Sequence, residues 1–287
     1  MDREDIQSVV LRGYPREGLV RYHLLSFDAG DPRALLTRLV TDVASADEPA
    51  RERTRRQLAL TASGLRGLGL CAAEMAQFPR EFRQGMAHPE RALALGDVLR
   101  NSPEHWEFGG PNTPRIDALW LTLSDDATRL VELSTQYERL FARFGVSFQV
   151  QDAIATGEPR AAPRRRARFK RFPLGELVLG EADAIGERTR GPLVAHKHSA
   201  RPLPAWVRAR NAQDLGKNGS YLVLRKWQQG QRTEWQVGFY TDLRRQFEVE
   251  HSSATRGSAP EALVRGGAYF FLPSVRALNY LAEGRPT

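Results

Sequence analysis

Six histidines and one cysteine are the first places to look for metal, redox or nucleophilic chemistry in this chain of 287 residues. Only His196 and His198, in Ala195-His-Lys-His-Ser199, have the spacing of a ligand pair. Such a pair holds a metal when further side chains converge on it, and the sequence suggests no third ligand, so a solvated loop is the plainer reading. His23 sits in an alternating, strand-like stretch, His88 precedes a proline and His105 lies in Pro-Glu-His-Trp-Glu; each reads as structural or exposed. His251 closes a helical stretch, where a cation complements the negative end of the dipole. Cys71 is the sole cysteine, which excludes a disulfide framework or a zinc ribbon within one chain, and its apolar surroundings mark it as a small core residue. Asp125 and Asp126 read as helix caps, and the glycine-rich stretch Gly257 to Gly267 lacks the Gly-Lys-Ser/Thr ending that cradles phosphate.

The strongest charge signal is the run from Arg160 to Arg171. Arg160, Arg164, Arg165, Arg166, Arg168, Lys170 and Arg171 give seven basic residues and no acid, against a net charge of +8 for the whole chain. A nucleic-acid arm, an anion-binding loop and a solvated linker all fit such a run, because like charges resist compaction until an anion neutralises them. Concentration of the charge in one segment argues against a DNA-binding surface spread over the protein.

The elements that must position these residues follow from periodicity. Ile6 to Leu11 and Leu19 to Phe27 read as strands, in a hairpin or side by side, and Asp31-Pro32 caps a helix running to about Ala44. Arg55 to Thr61 reads as a strand, Ala62 to Leu70 as a short helix or turn, and Phe78 to Asp97 as a short helix, a break at Pro89 and a loop. Ile116 to Leu123 alternates as a buried strand, and Leu130, Leu133, Tyr137, Leu140, Phe141 and Phe144 form a helical stripe ending at Gly145. Val146 to Ile154 is another strand. Beyond the basic run come a short apolar element at Gly175 to Gly180 and an irregular excursion from Glu181 to Gly216. Strands follow at Asn218 to Arg225, Gln236 to Tyr240 and Tyr269 to Leu272, with helices at Asp242 to Glu250 and Pro273 to Leu281. The pattern is that of an α+β sandwich. The five tryptophans are scattered and read as core or hairpin residues, although Trp206, Trp227 and Trp235 lie near basic side chains. The acidic N-terminus is followed by no apolar signal run and no stretch approaches a membrane span, so the expected location is cytoplasmic.

Several segments together resemble the dye-decolorizing peroxidases, a family of heme proteins. They are Ala59-Leu-Thr-Ala-Ser-Gly-Leu-Arg-Gly-Leu-Gly-Leu70, Phe78-Pro79 to Asp97 with Gly85-Met86 and Leu95-Gly-Asp97, and Gly175-Glu-Leu-Val-Leu-Gly180. Asn218 to Arg225, Asp242-Leu-Arg-Arg-Gln-Phe-Glu248 and Arg265-Gly-Gly-Ala-Tyr-Phe-Phe-Leu-Pro273 continue the likeness in the family's order. The resemblance implies two ferredoxin-like halves, each an antiparallel sheet with helices on its outer face, and heme mainly in the C-terminal half. It also implies a distal aspartate in a Gly-x-x-Asp-Gly loop, and a proximal histidine and distal arginine on a long insertion between two C-terminal strands. This chain departs at each point. Glu158 to Leu174 contains the basic run and no Gly-x-x-Asp-Gly, and the insertion shrinks to Lys226 to Trp235, which holds no histidine. Ten residues suit an antiparallel hairpin around Gln228-Gln-Gly-Gln231 with Gly230 in the turn, since a parallel crossover needs a dozen or more.

The expected organisation is therefore an N-terminal ferredoxin-like half (1–158), a basic connecting loop (159–174) and a reduced C-terminal half (175–287). The expected function is that of a peroxidase-like pseudoenzyme acting as a subunit or adaptor, with no cofactor and with a protein partner or a second copy. Two alternatives stand beside it: a heme peroxidase with a relocated ligand, His196 or His198, and a polyanion-binding protein using Arg164, Arg165, Arg166, Arg168, Lys170 and Arg171.

Overall fold

The computed structural model describes residues 2–12, 17–48, 54–156, 177–181, 191–195, 212–244 and 262–283. Strand β1 (Glu17–Ser26), helix α2 (Pro32–Val40), strand β2 (Thr54–Leu60), strand β3 (Ala118–Ser124), helix α7 (Ala127–Arg143) and strand β4 (Ser147–Thr156) form a βαββαβ unit. A short helix α1 (Ser8–Arg12) precedes it, and helices α3 (Ala62–Gly67), α4 (Ala72–Met75), α5 (Arg80–Gln84) and α6 (Pro89–Leu95) lie between β2 and β3. The strand order β4-β1-β3-β2, antiparallel throughout, is the ferredoxin-like order. The caps are as the sequence implied: the Asp31 carboxylate accepts from the Ala34 amide at 3.0 Å and Asp126 from the Arg129 amide at 3.1 Å.

After a small pair, β5 (Leu193–Ala195) and β6 (Ala212–Asp214), come β7 (Ser220–Gln229), β8 (Arg232–Tyr240), β9 (Leu263–Leu272) and helix α8 (Val275–Glu283). Strands β7 and β8 form the expected hairpin, Gln229 facing Arg232 across Gly230 at φ +58°. The second half adds three strands to the first, giving one seven-stranded sheet, β4-β1-β3-β2-β9-β7-β8.

This sheet curls on itself. Tyr22 of β1 stacks on Trp235 of β8 at 5.0 Å, although five strand spacings of ~4.8 Å would hold them about 24 Å apart in a flat sheet. The concave face buries Val20, Tyr22, Leu24, Leu119, Leu121, Leu222, Leu224 and Phe270 in one core. The outer face packs Trp120, Leu58, Val223, Tyr269 and Phe271 in another core with residues of α2, α5, α7 and α8. Helices thus lie on the outside, and α8 packs on α2.

The N-terminal strand expected at Ile6 to Leu11 does not form. Ile6, Val9 and Val10 are buried at helical spacing, and Gln7 lends its side chain to the sheet. Its amide oxygen accepts from the Leu58 amide (2.9 Å) and its Nε2 donates to the carbonyls of Leu58 and Pro273 (2.8 Å each). Gln7 therefore bridges β2 and the end of β9, which share a single registered pair, Leu60 with Phe271. Asp5 completes the strap: its carboxylate accepts from Asn218 Nδ2 and from the Arg276 amide, 2.8 Å each.

Three further expectations are corrected. Pro89 opens helix α6 instead of a loop, standing at its first turn where a missing N–H costs nothing. Cys71 is exposed, because it caps α4 at the surface and its amide donates to Glu74. Helix α2 ends at Val40, after which Ala44 turns back to pair its amide with the Arg56 carbonyl at 2.9 Å. The apolar element at 177–180 is a turn whose buried Leu179 exchanges backbone hydrogen bonds with Asn218 and Gly219. Most of the helix expected from Asp242 to Glu250 lies outside the described residues.

Candidate functional site at the junction of the two halves

In a minimal ferredoxin-like unit β2 and β3 are joined closely; here residues 61–117 intervene and travel to the outer face of the second half. Phe78 and Phe82 stack at 5.2 Å, and Phe271 meets Phe78 edge-on at 5.4 Å. Tyr221 lies 5.5 Å from Phe82 and 5.7 Å from Phe271, which faces it in register on β9. Burial pushes the Tyr221 phenol far above its ordinary range, with the nearby Asp242 adding to the effect.

A polar centre lies next to this aromatic cluster. Arg225 Nη2 is 2.5 Å from Asp97 Oδ1, both side chains fully enclosed, and the guanidinium lies 4.7 Å from the Trp227 ring. Gly267 stands opposite Arg225 in register, and a Cβ there would meet Met86 Sδ at 2.3 Å. Arg91 Nε donates to the Tyr269 hydroxyl at 2.8 Å and its Nη2 to the Leu243 carbonyl at 3.2 Å. Two of the family-like segments, Leu95-Gly-Asp97 and Asn218 to Arg225, thus meet in one buried ion pair.

Beside this centre a groove of about 400 Å³ opens to solvent between the start of α3, the middle of β9, the α5–α6 turn and residues 109–116. Its floor is apolar, formed by Phe82, Met86, Ile116, Ala268 and the Tyr269 ring, and its walls carry Arg66, Arg83 and Arg115 with Thr61, Ser63 and Thr113. Among the described residues no acidic side chain lines it. Sequence reasoning missed these arginines, which are separated by 17 and 32 positions and share no motif. The Gly109-Gly110 and Gly266-Gly267 pairs were the available signal. A Cβ at Gly109 would meet the Gly267 carbonyl at 2.1 Å, so these glycines exist to let the two backbones close one end of the groove.

The histidines fall elsewhere. His23 is fully buried in the first half, with Nε2 3.1 Å from Ser134 Oγ and 3.2 Å from Glu138 Oε1, while Ser134 Oγ donates to Glu138 at 2.8 Å. A nucleophile–base relay needs the acid on the ring nitrogen opposite the hydroxyl. Here acid and hydroxyl share Nε2, and among the described residues Nδ1 has no hydrogen-bond partner, so this is a structural cluster. Burial pushes the His23 pKa down, with Glu138 opposing the shift. His88 caps α6 and His105 is exposed in a short 3₁₀ turn. His196, His198, His251, Trp206 and Arg164, Arg165, Arg166, Arg168, Lys170 and Arg171 lie outside the described residues, among which no cluster of three metal-ligand side chains occurs.

The resemblance implies heme in the second half, so the side chains on the outer face of β7 and β9 bear on whether one could be held there. Three side chains of ligand type there are engaged otherwise, Tyr221 within the aromatic cluster, Tyr269 with Arg91 and Met86 against Gly267, whereas the buried Nδ1 of His88 has no hydrogen-bond partner among the described residues. The rings of Phe78, Phe82, Tyr221 and Phe271 pack on one another between the sheet and α5.

No family model and no curated protein sequence matches the chain. Solved structures do. A DyP-type peroxidase from Anabaena sp. superposes with a TM-score of 0.61 at 14% identity, over 97% of this chain and 94% of the other. A single-substitution variant of the decolorizing peroxidase of Auricularia auricula-judae gives a TM-score of 0.50 at 18% identity, over 80% of this chain and 49% of the other. A further DyP structure gives 0.50 at 17% identity with the same coverage. The chain spans about half the length of these last two. At such identities the likeness is one of architecture, and it agrees with the strand order, the outer helices and the sequence segments: the chain is a divergent representative of the DyP-type peroxidase fold.

Proposed function

We propose that this protein is a non-catalytic relative of the DyP-type peroxidases, a scaffold that has given up heme and peroxide chemistry and serves as a subunit or adaptor for a protein partner or a second copy of itself. The observation that carries this reading is the closure of the second half's outer face by Phe78, Phe82, Tyr221 and Phe271, together with the absence from the sequence of the Gly-x-x-Asp-Gly loop and the ligand-bearing insertion. Protein produced with ample heme precursor is expected to show no stoichiometric Soret band and no peroxide-dependent oxidation. A one-to-one Soret band with turnover overturns the proposal, and its loss in a His196→Ala/His198→Ala variant would assign the ligand to that pair.

A second reading rests on the basic run, in which seven bases stand without an acid. The run captures a polyanion, and binding to a heparin column or to nucleic acid weakens steeply with salt. Replacing Arg164, Arg165, Arg166 and Arg168 with serine removes that binding; salt-independent retention would sink the reading.

A further inference from the structure

The groove at the junction combines two properties that a structural crevice does not need. Its floor is made of side chains already buried in the two cores, Phe82 and Met86 among them, so an apolar body laid on it meets a preformed dry surface. Its rim carries three guanidinium groups and, among the described residues, no carboxylate. Arg115 is fixed from behind, its Nη2 2.9 Å from Asp28 and its Nε 3.0 Å from the buried Asp117. Arg83 is tethered through Nε, which donates to the Phe78 carbonyl at 3.0 Å and leaves its terminal nitrogens unused by that bond. Among the described residues neither Arg66 nor Arg83 makes an ion pair, so no described carboxylate competes for them at the groove. Guanidinium groups oriented in advance favour carboxylate and phosphate, which accept two parallel N–H bonds.

We propose that this groove binds a small organic anion, one carboxylate or phosphate group carried on an apolar body. The apolar part lies over Phe82 and Met86, and the charged head turns outward to Arg66 and Arg83. A volume of about 400 Å³ falls within the range of small-molecule sites and suits a bicyclic aromatic or short acyl acid. The proposal goes beyond the loss of heme and is independent of it, since the groove lies beside the aromatic cluster and is not made from it alone.

The test is calorimetric titration of the full chain with three probes of one shape: 1-naphthoate, 1-naphthyl phosphate and the neutral 1-naphthamide. Saturable binding at one site per chain is expected for at least one anion, with the amide at least tenfold weaker. Whichever anion binds more tightly identifies the head group. In the Arg66→Gln/Arg83→Gln variant affinity for that anion falls at least tenfold with the melting temperature unchanged, because both side chains are exposed. A charge-matched control, Arg129→Gln/Arg276→Gln, removes two exposed arginines placed on α7 and α8 and keeps the affinity. No saturable binding, equal binding of acid and amide, an unchanged groove variant, or an equal loss in the control would each overturn the proposal.

Discussion

In the first half, α2 and α7 close the outer face of β4-β1-β3-β2 with residues of the same βαββαβ segment. In the second half, the outer face of β9-β7-β8 is closed largely by residues 78–97, which belong to the connection between β2 and β3. The first half's closure is almost wholly apolar, Trp120 meeting Tyr137 at 4.8 Å with Leu133 and Phe141 beside them, whereas the second half's includes a charged pair with no access to water. A half that builds its own helical layer needs only complementary apolar faces. A half that borrows its cover must specify where the borrowed segment lands, and a buried ion pair opposite a glycine does so, because few other placements would satisfy both charges.

Breaking the imported contact at its polar centre should give the largest effect. Asp97→Ala leaves the Arg225 charge enclosed and costs about 3–5 kcal/mol, measured as a drop in the urea midpoint with unchanged slope. Replacing both partners with apolar residues, Asp97→Leu with Arg225→Met, recovers most of the loss. A single variant that costs under about 1 kcal/mol would show that the aromatic cluster alone fixes residues 78–97.

The next effect belongs to the strap between the halves. Gln7→Ala takes the side-chain partner from the Leu58 amide, the Leu58 carbonyl and the Pro273 carbonyl, all in the interior. At about 1 kcal/mol for each group the loss is about 3 kcal/mol. Because Gln7 touches both halves, amide exchange in β3 and in β9 should accelerate together. Acceleration confined to β3 would mean that the halves are stabilised separately. A smaller cost, about 1–2 kcal/mol, is expected for Gly267→Ala, whose Cβ presses on Met86 Sδ, and Met86→Ala in the same chain should relieve it.

The contrast between the halves was only half legible in the sequence. The first was plain because its signals are local: Asp31-Pro32 and Asp126 at helix starts, strict alternation in Ile116 to Leu123, and a stripe from Leu130 to Phe144. The hairpin at Gly230 was legible for the same reason. The strap was not, since Ile6, Val9 and Val10 are as compatible with a strand as with a turn of helix, and the Gln7 side chain finds its partners 51 and 266 residues away. Nor was α6, because a proline can end a helix as well as open one, and Pro89 opens α6 five residues after α5 ends at Gln84. The arginines of the groove were invisible because Arg66, Arg83 and Arg115 converge only when the β2–β3 connection folds back on β9.

The smallest effect sharpens the comparison from the other side, since the first half's one buried polar cluster on its outer face is built around a histidine. His23 faces Ser134 and Glu138 on α7, Arg21 on its own strand and Asp152 on β4, with the Phe141 and Phe148 rings edge-on at 5.5 and 5.9 Å. Burial holds its folded pKa below the unfolded value of about 6.5, so the unfolded chain takes up the proton first. Stability is therefore full above about pH 6.5 and falls as the pH drops from there toward the folded pKa, by at most about 1.4 kcal/mol per pH unit for a single group. Denaturation curves between pH 7.5 and 5 should show this extra slope in the parent chain and lose it in His23→Leu. Parallel slopes in the two proteins would mean that Glu138 already compensates the imidazolium, and that the first half, like the second, holds a paired charge in its interior.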